Sequence, residues 1–97
     1  MTSEQVEVAL NAKADRFEIS VDGVASGHVR FHDLDGVRIF THTEIDSKFE
    51  GRGLGGRLVG AALDQTRAAG LRVEPECPFV RRFIERNEEY ADLVGAA

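Results

Sequence analysis

The sequence predicts an α+β fold with a mixed sheet: an antiparallel meander followed by one β-α-β unit and a closing helix. Three observations carry this. Two Asp-Gly steps separate runs in which apolar and polar residues alternate, as hairpin-linked strands do. A glycine-dense stretch, Glu50-Gly51-Arg52-Gly53-Leu54-Gly55-Gly56, joins the last of these runs to the longest helical pattern in the chain. A short apolar run then follows Gly70, and Pro78 opens a second amphipathic segment.

In chain order, Val6 to Leu10 alternates weakly and Asn11 to Asp15 turns out of it; the first five residues are expected to fray. Arg16 to Val21 alternates cleanly, with Phe17, Ile19 and Val21 on one face. Asp22-Gly23 supplies a turn that tolerates positive φ, and the next strand runs from about Ser26 to Leu34. Asp35-Gly36 repeats the device. Strict alternation through Val37 to Ile45 places Val37, Ile39, Thr41, Thr43 and Ile45 on one face and Arg38, Phe40, His42 and Glu44 on the other. After a polar loop from Asp46 to Glu50, Leu54, Leu58, Val59, Ala62 and Leu63 repeat at helical spacing until Gly70, which fits a glycine cap. Leu71 to Glu74 reads as a short strand, parallel to the one before the helix. In the last helix Phe79, Val80, Phe83 and Ile84 form the apolar face, and Arg81, Arg82 and Arg86 its wet side. Asn87 to Glu89 ends that helix, and Tyr90 to Val94 packs back as a short tail.

Ninety-seven residues, Met1 to Ala97, form one domain, too small for separate cofactor and substrate domains. With 42% hydrophobic and 30% charged residues, the composition is that of a globular protein and not a disordered one. The absence of a long apolar run or a basic-then-apolar leader leads to the expectation of a cytoplasmic protein with no membrane partner. A net charge of -5 argues against general nucleic-acid binding. Cys77 is the single cysteine, so no internal disulfide and no thiolate cluster for a metal can form; His28, His32 and His42 read as strand residues and not as ligands. An exposed strand edge permits pairing, so a monomer or weak dimer is expected.

The glycine turn points to function. Bare backbone N–H groups at a helix start, where the helix dipole is positive, suit a phosphate or pyrophosphate. Three readings fit formally. Gly51-x-Gly53-x-x-Gly56 matches a dinucleotide-binding fingerprint, with Glu74 about 20 residues on; the preceding antiparallel strands and the short chain after Gly56 weigh against it. An ATP-binding loop of the Gly-Lys-Ser/Thr type is excluded because that sequence does not follow the glycines. The third is the pyrophosphate loop of a CoA-dependent acyltransferase.

From about Phe17 onward the chain resembles the GNAT-type N-acetyltransferases, specifically their very small single-domain members. The resemblance rests on His42-Thr43-Glu44-Ile45 at a strand end, Glu50 to Gly55 at the helix start, and Cys77-Pro78-Phe79-Val80 followed by Phe83-Ile84 and Tyr90. The loop of that superfamily is Arg/Gln-x-x-Gly-x-Gly/Ala; Gly53 and Gly55 match, while Glu50 occupies the Arg/Gln position. The resemblance implies acetyl-CoA as cosubstrate and a small-molecule or protein amine as acceptor. It implies that amides from Gly51 to Gly56, including Gly53, Leu54 and Gly55, hold the pyrophosphate, with Lys48 and Arg52 near its outer oxygens. The pantetheine arm would lie along the strand ending at Ile45, and the thioester beside Glu44 and Cys77.

An amine with a pKa near ~10.4 must lose a proton before it attacks, and His42 or Glu44 is the expected base. Many larger relatives carry a tyrosine on the last helix to protonate the leaving thiolate; the matching neighbourhood here is Phe83-Ile84, which cannot donate. Cys77, immediately before Pro78 at an expected helix N-cap, offers a second route, acyl transfer through its thiol. Direct attack by a bound amine is the preferred reading. A different class of function, a CoA- or acyl-CoA-binding or protein-interaction module without turnover, is the alternative.

Overall fold

The computed structural model describes residues 4–94. Five strands, β1 (Val6–Asn11), β2 (Arg16–Val21), β3 (Val24–Leu34), β4 (Val37–Ile45) and β5 (Arg72–Pro75), lie side by side in sequence order. The first four are antiparallel, and β5 runs parallel to β4 after the crossover through helix α1 (Leu54–Ala68). Helix α2 (Pro78–Arg86) and a 3₁₀ turn over Glu88–Leu93 close the chain, and Val94 bridges back to Val73 on the free edge of β5. The expected α+β architecture is the one observed.

Local chemistry accounts for the elements. Asp22-Gly23 and Asp35-Gly36 have φ values of 50° and 80°, and 51° and 80°, the paired positive angles of two-residue hairpin turns. Helix α1 ends where Gly70 adopts φ 75°, with Leu71 N–H on Thr66 C=O at 3.2 Å. Pro78 begins α2 at the position where a missing N–H costs nothing. Of the first five residues, which the sequence expects to fray, two are described. Gln5 exchanges hydrogen bonds with Asp22, and Glu4 pairs with Arg52; residues 1–3 lie outside the described residues.

Both helices cover one face of the sheet. There Phe17, Phe31 and Phe40 form a ring cluster with centroids 5.4–6.4 Å apart, and Leu58, Val59, Ala62 and Leu63 of α1 and Val80 and Ile84 of α2 pack into the same core. Arg38 enters this core although it is charged. Its guanidinium lies 4.2 Å from the Phe31 ring centroid, donates two hydrogen bonds to Asp33 at 2.8 and 2.9 Å, and reaches Thr66 Oγ1 at 3.5 Å.

Strict alternation fails in β4, and the failure shapes the site. Arg30 of β3 faces His42, but the next residue, Phe31, faces Phe40, so Thr41 is an extra residue in the ladder. This bulge resets the parity: Arg38 and Phe40 face the core, then Thr43 and Ile45, while His42 and Glu44 project from the opposite face. The expectation that Phe40 shares a face with His42 and Glu44 is therefore corrected. Among the described residues no helix is long and apolar enough to cross a membrane.

Candidate functional site

The site forms where β4 and β5 part. They pair from Val37 and Arg72 to Phe40 and Pro75, and one further bond, Cys77 N–H to Phe40 C=O at 2.9 Å, ends their contact. Beyond it α2 turns away and β4 continues alone on that side. Asp46 N–H donates to Ser26 C=O at 2.8 Å, so Glu44 and Asp46 direct their main-chain groups at β3. By strand alternation those of Thr43 and Ile45 point to the open edge. Gly27 allows the close β3–β4 approach there: a Cβ on it would stand 2.5 Å from Glu44 O and 2.6 Å from Ile45 Cδ1.

At the end of this edge lies a cleft of about 320 Å³ lined by Ile45, Phe49, Glu50, residues 51 and 53–56, and Phe79. Its floor is the start of α1. Gly53 is the N-cap with φ 74°, and no side chain caps the helix, so the first-turn amides of Leu54, Gly55 and Gly56 remain as donors without a side-chain acceptor. Gly51, with φ 78°, makes the other left-handed step in the loop, and the space beside both residues is open. Gly55 serves a different purpose: a Cβ there would stand 2.6 Å from Phe79 Cζ, so its bareness lets the Phe79 ring lie against the helix.

Six expected binding residues therefore converge on one cleft: Ile45, Gly51, Gly53, Leu54, Gly55 and Gly56. Lys48 and Arg52 do not line it. Lys48 is exposed on the 3₁₀ turn Ser47–Phe49, where its N–H donates to the Asp46 side chain, and the Arg52 guanidinium pairs with Glu4 and lies over the Phe49 ring at 5.4 Å. Two lining aromatics, Phe49 and Phe79, were not expected. Phe79 is 44% exposed and not part of the core, which corrects its assignment to the apolar face. Helical spacing could not separate a ring facing the core from one facing a cleft; the bare Gly55 across from it was the available signal.

The three residues expected near the reacting atoms fall on two faces. His42 Nε2 lies 3.3 Å from Glu44 Oε1 on the open face, both side chains more than half exposed. The His28 ring is beside them, 6.3 Å from that of His42, and burial together with the Arg16 and Arg30 guanidiniums holds its pKa below the ordinary imidazole value. Cys77 is buried on the helix side with Sγ 3.2 Å from Thr43 Oγ1. The sheet thus separates His42 and Glu44 from Cys77. Tyr90, on the 3₁₀ turn, donates to Asp64 Oδ1 at 2.8 Å; burial first, then this carboxylate, raise its pKa to about 12. Among the described residues no group of three or more His, Cys, Asp or Glu is arranged to hold a metal ion.

Comparisons with known proteins agree with this architecture. The model of the GCN5-related N-acetyl-transferase family matches residues 16–93. Protein NATD1 of Bos taurus is 27% identical over 84 residues, spanning 84% of this chain and 74% of that protein, and its Gallus gallus counterpart is 26% identical. A GCN5-like protein from Staphylococcus aureus superposes with a TM-score of 0.70 at 22% identity, covering 94% of this chain and 90% of the other, a likeness of fold. A GNAT family acetyltransferase from Brucella melitensis, solved in complex with acetyl-CoA, superposes with a TM-score of 0.57 at 28% identity over 74% of this chain and 54% of its own. From the glycine-floored cleft, the parted strands and a family match that spans both, it follows that this chain belongs to the GCN5-related N-acetyltransferase family.

Proposed function

We propose that the protein transfers an acetyl group from acetyl-CoA to an amine by direct attack. The observation that carries this reading is the uncapped start of α1, whose Leu54, Gly55 and Gly56 amides meet a cleft continuous with the open edge of β4. In this reading the amides hold the pyrophosphate, and the pantetheine amides pair with the main chain of Thr43 and Ile45 as a further strand would. The thioester then reaches the fork near Thr41 and Cys77. An amine enters from the open face, where His42 and Glu44 stand ready to take its proton. Its nitrogen lone pair forms a bond to the thioester carbonyl carbon, the C–S bond breaks, and the proton that the nitrogen sheds on becoming an amide passes through water to the departing CoA thiolate. Glu50 lines the cleft, and its charge opposes the diphosphate, so the main-chain donors must dominate binding.

Direct attack is favoured over a route through Cys77 because that residue is only 4% exposed, its sulfur lies against Thr43, and it is on the other side of the sheet from His42 and Glu44. Tyr90 does not act as the acid in this reading, since its hydroxyl is committed to Asp64 on α1.

The test is thiol release from acetyl-CoA over a panel of amines, run beside calorimetric titration with CoA. Amine-dependent release is expected, reduced by at least tenfold in His42→Ala/Glu44→Ala, with CoA affinity unchanged and no acetyl adduct on Cys77 after acid quench. Tight CoA binding without release would support a binding module instead. No affinity for CoA would end both readings.

A further inference from the structure

The open face of the sheet carries a cleft of about 220 Å³ between Glu18, His28, Glu44 and Asp46, and it shares no lining residue with the glycine-floored cleft. Pairing register builds it. Glu18 faces His28 and His28 faces Glu44, so the three stand in one row across β2, β3 and β4, roughly 9–10 Å from end to end. Phe17, Ile19 and Val29 are buried in the core, so alternation leaves this row on the side without helices. Next to the row β3 is interrupted: Ile19 faces Gly27 but Ser20 faces Ala25, which makes Ser26 an extra residue in the ladder. Ala25, Ser26 and Gly27 line the cleft and put almost no side-chain volume into it, and the hollow follows.

What the cleft offers a ligand is hydrogen-bond acceptors. In each of its three carboxylates one oxygen is fixed: Glu18 Oε2 accepts from Arg16 at 2.7 Å and from Asn11 at 3.1 Å, Glu44 Oε1 lies 3.3 Å from His42 Nε2, and Asp46 Oδ1 accepts from Lys48 N–H at 3.0 Å. Among the described residues the second oxygen of each has no partner. Ser26 is 1% exposed, and its hydroxyl donates its proton to Val24 C=O at 2.8 Å. Among the described residues nothing donates to that oxygen in return, so toward a ligand it is an acceptor only. Arg16 is the one cation in the lining and is already tied to Glu18. His28 does not add a second, since burial, then Arg16 and Arg30, hold its pKa below the ordinary imidazole value. Four acceptor groups around a hollow whose single cation is neutralised call for a ligand that donates and is positively charged.

We propose that this cleft is the acceptor site and takes a small aliphatic diamine, one nitrogen at His42 and Glu44 and the second, as an ammonium, between Glu18, Ser26 and Asp46. The proposal rests on the reading of acyl transfer to an amine and names the class of that amine. The first nitrogen reacts as described above; the second keeps its proton and its charge throughout. Glu44 belongs both to the His42 pair and to the cleft, so a chain lying in the cleft begins where deprotonation is placed. From Glu44 to Asp46 is two residues of extended backbone, roughly 6.6 Å, which a chain of about four or five methylenes spans with a nitrogen at each end. Volume sets the same limit. At ~30 Å³ per water, 220 Å³ holds about seven non-hydrogen atoms, enough for such a diamine and too little for the backbone and side chains of a peptide. The net charge of -5 suits a dication, since part of the excess is gathered here.

Thiol release from acetyl-CoA by the full chain, with 1,4-diaminobutane and with 1-aminobutane as acceptors, tests this. The expected result is a kcat/KM about tenfold higher for the diamine, carried by KM, the size of charge-assisted hydrogen bonding in a partly open site. In Glu18→Gln/Asp46→Asn the ratio falls below about twofold through a raised KM for the diamine, while its kcat stays within about twofold. In Glu7→Gln, which alters an exposed carboxylate of β1 outside the cleft, the ratio is unchanged. Equal kcat/KM for the two amines, a preference that survives the double substitution, or a lysine-containing peptide used about tenfold better than the diamine overturns the proposal. Should the double variant not fold, the ratio on the unaltered protein decides alone. Amide chemical shifts, titrated with 1,4-diaminobutane in the absence of acetyl-CoA, are expected to move at residues 25–28 and 44–46. They separate the two ways of failing. If no amine releases thiol, the transfer reading is lost and the acceptor role with it; moved shifts then keep the cleft as a diamine site, and unmoved shifts remove that as well.

Discussion

Substituting Gly55 by alanine sets stability against binding, with opposite signs expected for the two. Gly55 occupies the first turn of α1 and does not adopt positive φ, so alanine suits its backbone and gains up to ~1 kcal/mol in helix propensity. The new methyl, however, would stand 2.6 Å from Phe79 Cζ. To regain ordinary contact the ring must retreat by about 1 Å. Phe79 is 44% exposed and the clashing atom is the far end of its side chain, so retreat is cheap in stability. It is not cheap for a ligand. The methyl fills part of the cleft floor beside the proposed diphosphate donors, and the displaced ring alters the cleft wall. Gly55→Ala should therefore leave the thermal midpoint unchanged or slightly raised while weakening CoA by about tenfold or more, the order expected when a charged hydrogen bond is lost. Differential scanning fluorimetry and calorimetric titration read the two quantities separately. Gly55→Ala/Phe79→Ala distinguishes the causes: partial recovery of affinity marks the displaced ring, and none marks the methyl. Unchanged affinity for CoA in Gly55→Ala would refute the assignment of this helix start as the ligand's approach.

Three further outcomes follow from the packing. Gly27→Ala cannot be relieved by a side-chain swing, because its Cβ meets a backbone oxygen as well as Ile45; a loss of about 1–3 kcal/mol in denaturant titration is expected, together with weaker CoA binding through the shifted end of β4. Asp33→Asn leaves Arg38 in the core without its counter-charge and should cost about 1–2 kcal/mol, a figure already discounted for a carboxylate that is 42% exposed. The hydrogen bonds from Arg38 hold the Asp33 pKa below the ordinary carboxylate value, so its contribution is fully present above the unfolded pKa and is lost as pH falls through the folded one; the acid limb of a stability-pH profile should flatten in the variant. Tyr90→Phe removes the bond to Asp64 at a cost of about 1 kcal/mol, yet should keep amine-dependent thiol release within about twofold if the phenol is not the acid. Because the Tyr90 pKa is raised to about 12, its stabilisation persists up to the unfolded value near ~10 and declines as pH rises toward 12; alkaline unfolding should shift accordingly in the variant.

Much of this molecule could be read along the chain because the signals were local. Positive φ at Asp-Gly steps, helical spacing from Leu54 to Leu63 and proline at a helix start each depend on a few adjacent residues, and the strands and helices follow within a residue or two. The glycine-rich helix start, and with it most of the candidate binding cleft, was legible for the same reason. What the sequence by itself could not decide was which side chains meet. The bulge at Thr41 arises from pairing between β3 and β4, and one extra residue there puts Phe40 in the core and His42 on the open face. The separation of Cys77 from Glu44 by the sheet, the diversion of Arg52 to Glu4, and the Phe79 ring standing over Gly55 all join residues distant in sequence. Periodicity reports the face of one element at a time; only the packed sheet and helices set where those faces converge.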